Sequence, residues 1–173
     1  MKYLLYELHV AQNMDGTNDE ELVKLDSQWI ENAKKYKEIF NTLSDRLPQD
    51  IFNRFNSWGF HDYRLIKIEI EHKSLLHSNI HFTVLSDDDW ILSFNNVSFF
   101  QFQHLNYEND KPIYNREIDD WLYEEFLSIN ESTLSFEVVL SSGGNILLHF
   151  PEKSVSMKKL KKASQISRGY LFS

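Results

Sequence analysis

The hydrophobic pattern of the chain changes its period at one short aromatic segment, WGFHDY at residues 58–63, which we call the hinge segment. Before the hinge segment, apolar residues recur every three or four positions, as they do on one face of a helix. After it they recur every second position, as they do on one face of a strand. The sequence therefore predicts a helical layer and a layer of strands that meet at the hinge segment.

The part before the hinge segment predicts a long helix followed by a short one. Asn18 or Asp19 can cap the long helix, and Pro48 is well placed at the start of the short one. For residues 3–10 the pattern fits a strand and a helical turn equally. The apolar stripe of the long helix consists of Leu22, Leu25, Trp29, Ala33, Tyr36, Phe40 and Leu43.

The part after the hinge segment alternates as strands do, first over residues 66–70 and 80–84 and then over residues 90–99. A bulge at Asn95 and Asn96 would reset the faces of the third strand. Further strands are predicted at residues 134–140 and 146–150, joined by a tight turn, and a last short one near Val155.

One more helix is predicted at residues 116–126, because Ile118, Trp121, Leu122 and Phe126 fall on one side of a helix. The whole order predicts an α+β fold, with an antiparallel sheet of five to six strands packed against an N-terminal helical pair and one inserted helix. A single domain is expected at residues 1–157, helical at about 19–56 and sheet at about 63–157, before a basic C-terminal tail at 158–173.

The charge of the chain is divided unevenly along its length. Through Glu152 there are 26 acidic and 12 basic residues, a formal charge of −14, whereas from Lys153 onward there are six basic residues and no acidic one. An acidic body favours a basic protein partner and disfavours nucleic acid and membrane surfaces. The tail can bind an anion or fold back on the body.

The chain contains no cysteine, which excludes disulfides, thiolate metal sites and cysteine nucleophiles. There is no phosphate-binding glycine loop, no hydrolase nucleophile motif and no metalloprotease motif, so no cofactor is expected. No stretch approaches the ~20 apolar residues of a membrane helix, and a cytoplasmic location is expected.

Two groups of carboxylates are candidate binding residues for a basic partner. Asp87, Asp88 and Asp89 form a turn, and Glu117, Asp120 and Glu124 fall together on one face of the predicted inserted helix. Such groups are also typical of ordinary solvated surface.

His61 and Asp62 resemble the adjacent His-Asp pair of metal-dependent phosphohydrolases, although that pair lies on a helix and this one precedes a strand. The alternative is that they satisfy backbone donors at the strand entry. Glu125 falls on the apolar side of the predicted helix, where a carboxylate needs a partner such as His61 or Arg64. An edge-exposed Glu125 fits the pattern as well. The sequence thus predicts a structural polar cluster of His61, Asp62, Arg64 and Glu125, with no catalytic or metal residue. A small metal-dependent hydrolase using His61, Asp62 and Glu125 is the alternative.

Several motifs are spread over most of residues 25–157: Trp29, Asn32, Tyr36, Phe40, Leu47-Pro48, Phe60-His61-Asp62-Tyr63, Trp121-Leu122-Tyr123-Glu124-Glu125-Phe126 and Ser141-Ser142-Gly143. Together they resemble a family of small proteins of unknown function from Gram-positive bacteria, and this resemblance implies nothing about chemistry. The hinge-segment motif Phe60-His61-Asp62 is also similar, more loosely, to small acidic immunity proteins that neutralise toxins in interbacterial competition. This second resemblance implies a non-catalytic protein-binding module of the immunity or antitoxin kind, and it implies no site.

Overall fold

The computed structural model describes residues 1–13, 18–104 and 119–160, which form three helices and two antiparallel sheets of four strands. The helices are α1 (Tyr6–Gln12), α2 (Asp19–Asn41) and α3 (Gln49–Phe55). The strands are β1 (Arg64–His72), β2 (Ser78–Leu85), β3 (Asp89–Val97), β4 (Phe99–Gln103), β5 (Trp121–Ser128), β6 (Thr133–Leu140), β7 (Asn145–Pro151) and β8 (Val155–Lys159).

The α+β class is confirmed, but the expected single sheet of five to six strands is wrong. The first sheet has the order β1-β2-β3-β8 and the second has the order β4-β7-β6-β5. The chain passes from one sheet to the other at Ser98, directly after β3, and returns between β7 and β8. Alternation tells which face of a strand is buried, and it carries no information about which sheet the strand joins.

The predicted bulge at Asn95 and Asn96 is confirmed and marks the approach to this crossing. The register between β2 and β3 shifts between Ser78 and Ile80, opposite the two asparagines. Asn96 has a φ of 55°, in the left-handed region that asparagine tolerates better than most residues. The bulge changes the register of β3 just before its last pair, Val97 with Ser78, after which the chain enters the second sheet.

The predicted inserted helix is wrong where the structure describes it, because residues 121–128 form β5. Trp121 and Phe126 are fully buried, and Leu122 and Glu125 are buried as well. A bulge between Trp121 and Tyr123 further disturbs the alternation. A strand buried on both faces with a bulge produces apolar spacings of three and four, which mimic a helix. Residues 116–118 lie outside the described part of the chain.

The helical prediction for the first half of the chain is confirmed. Asn18 caps α2, since its side-chain oxygen accepts a hydrogen bond from the backbone N–H of Glu21 at 2.9 Å. Pro48 is the N-cap of α3, and α1 resolves the open question about residues 3–10 in favour of a helix from Tyr6.

The helices and both sheets share one hydrophobic core. Phe126 of β5 is the central residue, because its ring lies 4.4 Å from that of Phe136 of β6, 4.9 Å from that of Phe55 of α3 and 6.0 Å from that of Phe40 of α2. Fully burying one such side chain stabilises the fold by roughly 1.5–3 kcal/mol. The helical pair is therefore part of the core.

The hinge segment attaches the helices to the start of β5. The Asp62 N–H donates to the Trp121 carbonyl oxygen at 2.9 Å, and the Trp121 N–H donates to the Tyr63 carbonyl oxygen at 2.8 Å. Further along β5, which is an edge strand, the His61 ring nitrogen Nδ1 pairs with the Leu122 carbonyl, and the Phe126 N–H donates to the Tyr36 hydroxyl at 2.9 Å. Side chains and the hinge segment thus form hydrogen bonds with backbone groups of β5 that would be unpaired at an open edge.

None of the helices that the structure describes is both long enough and apolar enough to cross a membrane.

The turn in the hinge segment requires glycine at position 59. Gly59 has a φ of 55°, and a Cβ atom added there would overlap the Glu124 carboxylate oxygen Oε1. We expect Gly59→Ala to lower the free energy of unfolding by at least about 2 kcal/mol, from left-handed strain together with the overlap. Asn96→Ala, at an exposed position whose φ is also 55°, measures the effect of left-handed strain without an overlap. Equal losses in the free energy of unfolding for the two variants, measured with urea, would show that a Cβ atom at position 59 does not overlap the Glu124 carboxylate.

Candidate functional site

A cavity of about 390 Å³ opens between α2, the hinge segment and the edge of β5. Each of these elements contributes one wall, and the N-terminal segment contributes a single leucine. The lining residues are Leu4, Trp29, Ala33, Tyr36, Lys37, Phe40, Phe55, Ser57, Trp58, His61, Leu122, Tyr123 and Glu124. The volume suits a small ligand or an inserted side chain.

Four rings form a continuous series along the cavity, which we call the aromatic row. The Trp58 ring lies 6.2 Å from the His61 ring, the His61 ring is stacked on the Tyr123 ring at 5.3 Å, and the Tyr123 ring lies 4.7 Å from the Trp29 ring. Trp58 is 78% exposed, which is unusual for so large an apolar residue. The aromatic row therefore offers apolar area and ring faces to a ligand.

The carboxyl group of Glu124 is the carboxylic acid of the cavity lining, and its pKa is strongly raised. The residue as a whole is partly exposed, whereas its carboxyl group lies deep in the protein. Burial raises the pKa of Glu124 to about 8, against the opposing effects of the Trp121 indole N–H, the nearby Arg54 charge and the Phe60 backbone N–H. Glu124 is therefore a buried acid that holds its proton near neutral pH.

Arg54 supplies the positive charge nearest to this acid. Its guanidinium carbon lies 4.7 Å from the ring centroid of Phe60, 5.3 Å from that of Tyr63 and 5.5 Å from that of Trp90. Its Nε atom is buried and has no hydrogen-bond partner among the described residues. Ring faces hold this guanidinium in place.

Other polar groups around the cavity are biased towards their neutral forms. Burial lowers the pKa of His9, with a further contribution from His61 and an opposing one from Asp62, and the His9 nitrogen Nδ1 lies 3.3 Å from the Tyr123 hydroxyl. Burial also raises the pKa of Tyr36 above its ordinary value. Lys37, also in the lining, donates from Nζ to the carbonyl oxygen of Asn56.

The structure brings together His61 and Asp62, leaves Arg64 close by at the start of β1, and places Glu125 elsewhere. The His61 nitrogen Nε2 lies 3.5 Å from the Asp62 oxygen Oδ1, and the Asp62 side chain is 80% exposed. Arg64 forms an isolated antiparallel bridge with Asp120. Nothing in the described residues links Glu125 by a hydrogen bond or an ion pair to His61, Asp62 or Arg64.

Glu125 instead holds the N-terminal segment. Its fully buried carboxylate accepts hydrogen bonds from the backbone N–H groups of Lys2 at 2.8 Å, Tyr3 at 2.7 Å and Leu4 at 2.6 Å. The apolar spacing around Glu125 predicted a partner for this carboxylate, but backbone donors have no signature in the side chains of residues 2–4. These partners could not have been identified from the pattern.

The aspartates predicted as binding residues, Asp87, Asp88, Asp89 and Asp120, lie at one end of the molecule. Arg64 pairs with Leu85 at the end of β2 and with Asp120 before β5, so the turn between β2 and β3, the hinge segment and the start of β5 are neighbours. We call this surface the acidic end; its carboxylates are Asp62, Asp87, Asp88, Asp89, Asp119 and Asp120. Burial, with Asp62 nearby, raises the pKa of Asp120, and Arg64 opposes the shift. Of the other predicted binding residues, Glu117 lies outside the described residues and Glu124 belongs to the cavity.

Within the described part of the chain, no group of three or more His, Asp or Glu side chains is arranged to hold a metal ion. No family model, curated protein or solved structure matches the chain.

The cavity gathers residues that the sequence placed in separate elements. Trp29 and Tyr36 lie on the apolar stripe of α2, His61 lies in the hinge segment, and Tyr123 and Glu124 lie on β5. Sequence reasoning missed this site, although the motifs that carry the resemblance contain all five residues. The aromatic content of those motifs was the signal that could have suggested it.

The raised pKa of Glu124 predicts a pH-dependent stability. Between about pH 4.5 and pH 8 the folded protein binds more protons at this group than the unfolded chain does, so the free energy of unfolding falls as the pH rises, by at most about 1.4 kcal/mol per unit. Glu124→Gln cannot ionise and lacks this contribution. We expect the stability of wild type relative to Glu124→Gln to fall by at least about 2 kcal/mol between about pH 5 and about pH 8.

Urea unfolding at the two pH values measures this difference. Glu131→Gln, at an exposed position in the turn between β5 and β6, is the matched control. A wild-type advantage over Glu124→Gln that is the same at both pH values would rule out a raised pKa at this group.

The anchoring of the N-terminal segment predicts a second effect at the neighbouring glutamate. Glu125→Gln replaces a carboxylate acceptor with an amide whose NH₂ group faces backbone donors, and we expect a loss of about 2–4 kcal/mol in the free energy of unfolding. Amide exchange at residues 2–4 should accelerate as well. Glu7→Gln, exposed on α1, is the control; equal losses for both variants would contradict the anchoring role.

Proposed function

We propose that this chain is a non-catalytic protein-binding module for a basic partner, of the immunity or antitoxin kind. The observation that carries the proposal is the cavity lined by the aromatic row, with an exposed tryptophan, next to the acidic end. The looser resemblance to immunity proteins points to the same class of function.

Trp58 has the properties of a binding hot spot. It is large, amphipathic and 78% exposed, and it lies beside a cavity that a partner side chain can fill. Tryptophan and tyrosine are enriched among the few residues that carry most of the binding free energy in protein interfaces. Covering this side chain would bury substantial apolar area.

The acidic end supplies the electrostatic part of recognition. Lys159 pairs with Asp88 at 2.7 Å, and the Arg64 charge acts on Asp120, so part of the negative charge is compensated within the chain. The Asp62 side chain remains mostly exposed at the same end. Complementary charge accelerates association with a basic partner and disfavours wrong ones.

The geometry favours binding over the alternative hydrolase. The Glu125 carboxylate already accepts three backbone hydrogen bonds, and the His61 nitrogen Nδ1 is engaged with the Leu122 carbonyl. A general acid or base must reach the proton that it transfers. Glu125 is fully buried beneath the N-terminal segment, so it could reach a substrate only if that segment moved.

Binding to the product of a neighbouring gene tests the proposal. We expect the affinity to fall about tenfold between low and physiological salt, because exposed charges are screened. Trp58→Ala should weaken binding by at least about 2 kcal/mol. Ile30→Ala, which removes a 67% exposed side chain of α2 outside the cavity lining, should leave the affinity unchanged. Calorimetry showing salt-independent binding that Trp58→Ala does not affect would contradict the proposal.

A further inference from the structure

We propose that the group entering the cavity is an organic cation, namely the ammonium or guanidinium group of a lysine or arginine side chain of the partner. This inference rests on the proposed function and specifies the chemistry of its central contact. It depends on three properties of the cavity: an underused carboxylate, ring faces, and negative charge nearby.

The Glu124 carboxylate has acceptor capacity left over. An ionised carboxylate can accept about four hydrogen bonds, whereas the Trp121 indole N–H and the Phe60 backbone N–H supply two. Glu124 lies in the cavity lining, so the remaining capacity can serve a bound group. A cation with several N–H donors matches it.

The effect of burial favours a cation over an apolar group. Ionising a buried carboxyl group is unfavourable unless a charge compensates it, and the pKa of Glu124 stays raised in spite of the nearby Arg54 charge. An apolar side chain would leave Glu124 protonated and would gain no ion pair from it. A cation would form an ion pair with the carboxylate once Glu124 released its proton.

The aromatic row provides the second part of the site. All four rings line the cavity, and a cation bound there would lie against the ring faces that are not stacked on a neighbouring ring. The exposed Asp62 carboxylate, adjacent to His61 of the row, adds attraction. Aromatic rings together with a carboxylate are a common combination for binding alkylammonium groups.

One lining residue opposes a cation. Lys37 carries a positive charge in the cavity wall and is directed by its hydrogen bond to the Asn56 carbonyl oxygen. Removing this charge should therefore strengthen cation binding, whereas removing the Glu124 charge should weaken it. Two residues of the same cavity thus give predictions of opposite sign.

Capped amino acids test the inference without the partner. The probes are Nα-acetyl-lysine methylamide and Nα-acetyl-arginine methylamide, compared with their neutral analogues built on norleucine and citrulline. Binding is followed by the NMR signals of the indole N–H groups of Trp29 and Trp58, assigned with single Trp→Phe variants. We expect at least one cationic probe to bind about tenfold more tightly than its neutral analogue.

The variants give the decisive comparison. Glu124→Gln should weaken binding of the cationic probe about tenfold and leave the neutral analogue unaffected, and Lys37→Met should strengthen it about threefold. Binding should also release a proton near neutral pH, as Glu124 ionises, and calorimetry in buffers of different ionisation enthalpy detects it. Other titratable or charged groups around Glu124 are Arg54, Lys37, Tyr36, His61 and Tyr123. A released proton that is lost in the Glu124→Gln variant therefore comes from Glu124 and not from one of these groups.

Equal affinities for charged and neutral probes, or no binding of any probe up to about 10 mM, would overturn the inference. If Glu124→Gln does not fold, the comparison of probes on wild type and Lys37→Met still decides. If the probe experiment fails, salt-sensitive partner binding that is abolished by Trp58→Ala would still support the proposed function. The proposed function and the cation are therefore tested separately.

Discussion

One buried carboxyl group, that of Glu124, connects the three parts of the molecule that must meet at the hinge segment. It accepts the Trp121 indole N–H from its own strand and the Phe60 backbone N–H from the hinge segment, and Arg54 of α3 lies close enough to influence its pKa. Gly59 leaves the space that this carboxyl group fills. Because both Trp121 and Phe60 are fully buried, the carboxyl group is fixed by the core itself, and the position of the hinge segment over β5 follows from it.

Under the proposed binding function, the cavity and the acidic end would act over different distances. Exposed charges act over about one Debye length, roughly 8 Å at physiological salt, and so before contact. The rings and the Glu124 carboxyl group would act only on a group that has entered the cavity. In that proposal the aspartates would affect the rate of association, whereas the cavity would determine how long a partner remains bound.

Sequence patterns predicted the elements that bury a single face. The stripe of α2 and the alternation of β2 and β3 have one buried side, so their periods are clean. The pattern failed at β5, which is covered on both sides and contains a bulge. A helical interpretation of this segment put Glu125 on the buried side and Glu124 on the wet side. In the strand both carboxyl groups are buried, but they have different partners. The Glu125 carboxylate accepts hydrogen bonds from the backbone N–H groups of residues 2–4, whereas the Glu124 carboxyl group is bound to the hinge segment.

The cavity itself lay beyond sequence reasoning for a different reason. Its walls come from α2 and β5, about ninety positions apart, and their approach depends on how the helical pair docks onto the core. Local spacing placed Trp29 and Tyr36 on one helix face but gave no partner for that face. Only the tertiary contacts between Trp29 and Tyr123, and between Tyr36 and Phe126, provide one.

The covering of the outer edge of β5 has a consequence for how the protein associates with other chains. No further strand is paired to its outer side among the described residues, and the groups that occupy it belong to His61, Tyr36 and residues 62–63. An uncovered strand can serve as a template on which other chains polymerise. The hinge segment and Tyr36 of α2 therefore leave fewer unpaired backbone groups at this edge, and a chain that lost them would expose those groups to pairing with other chains.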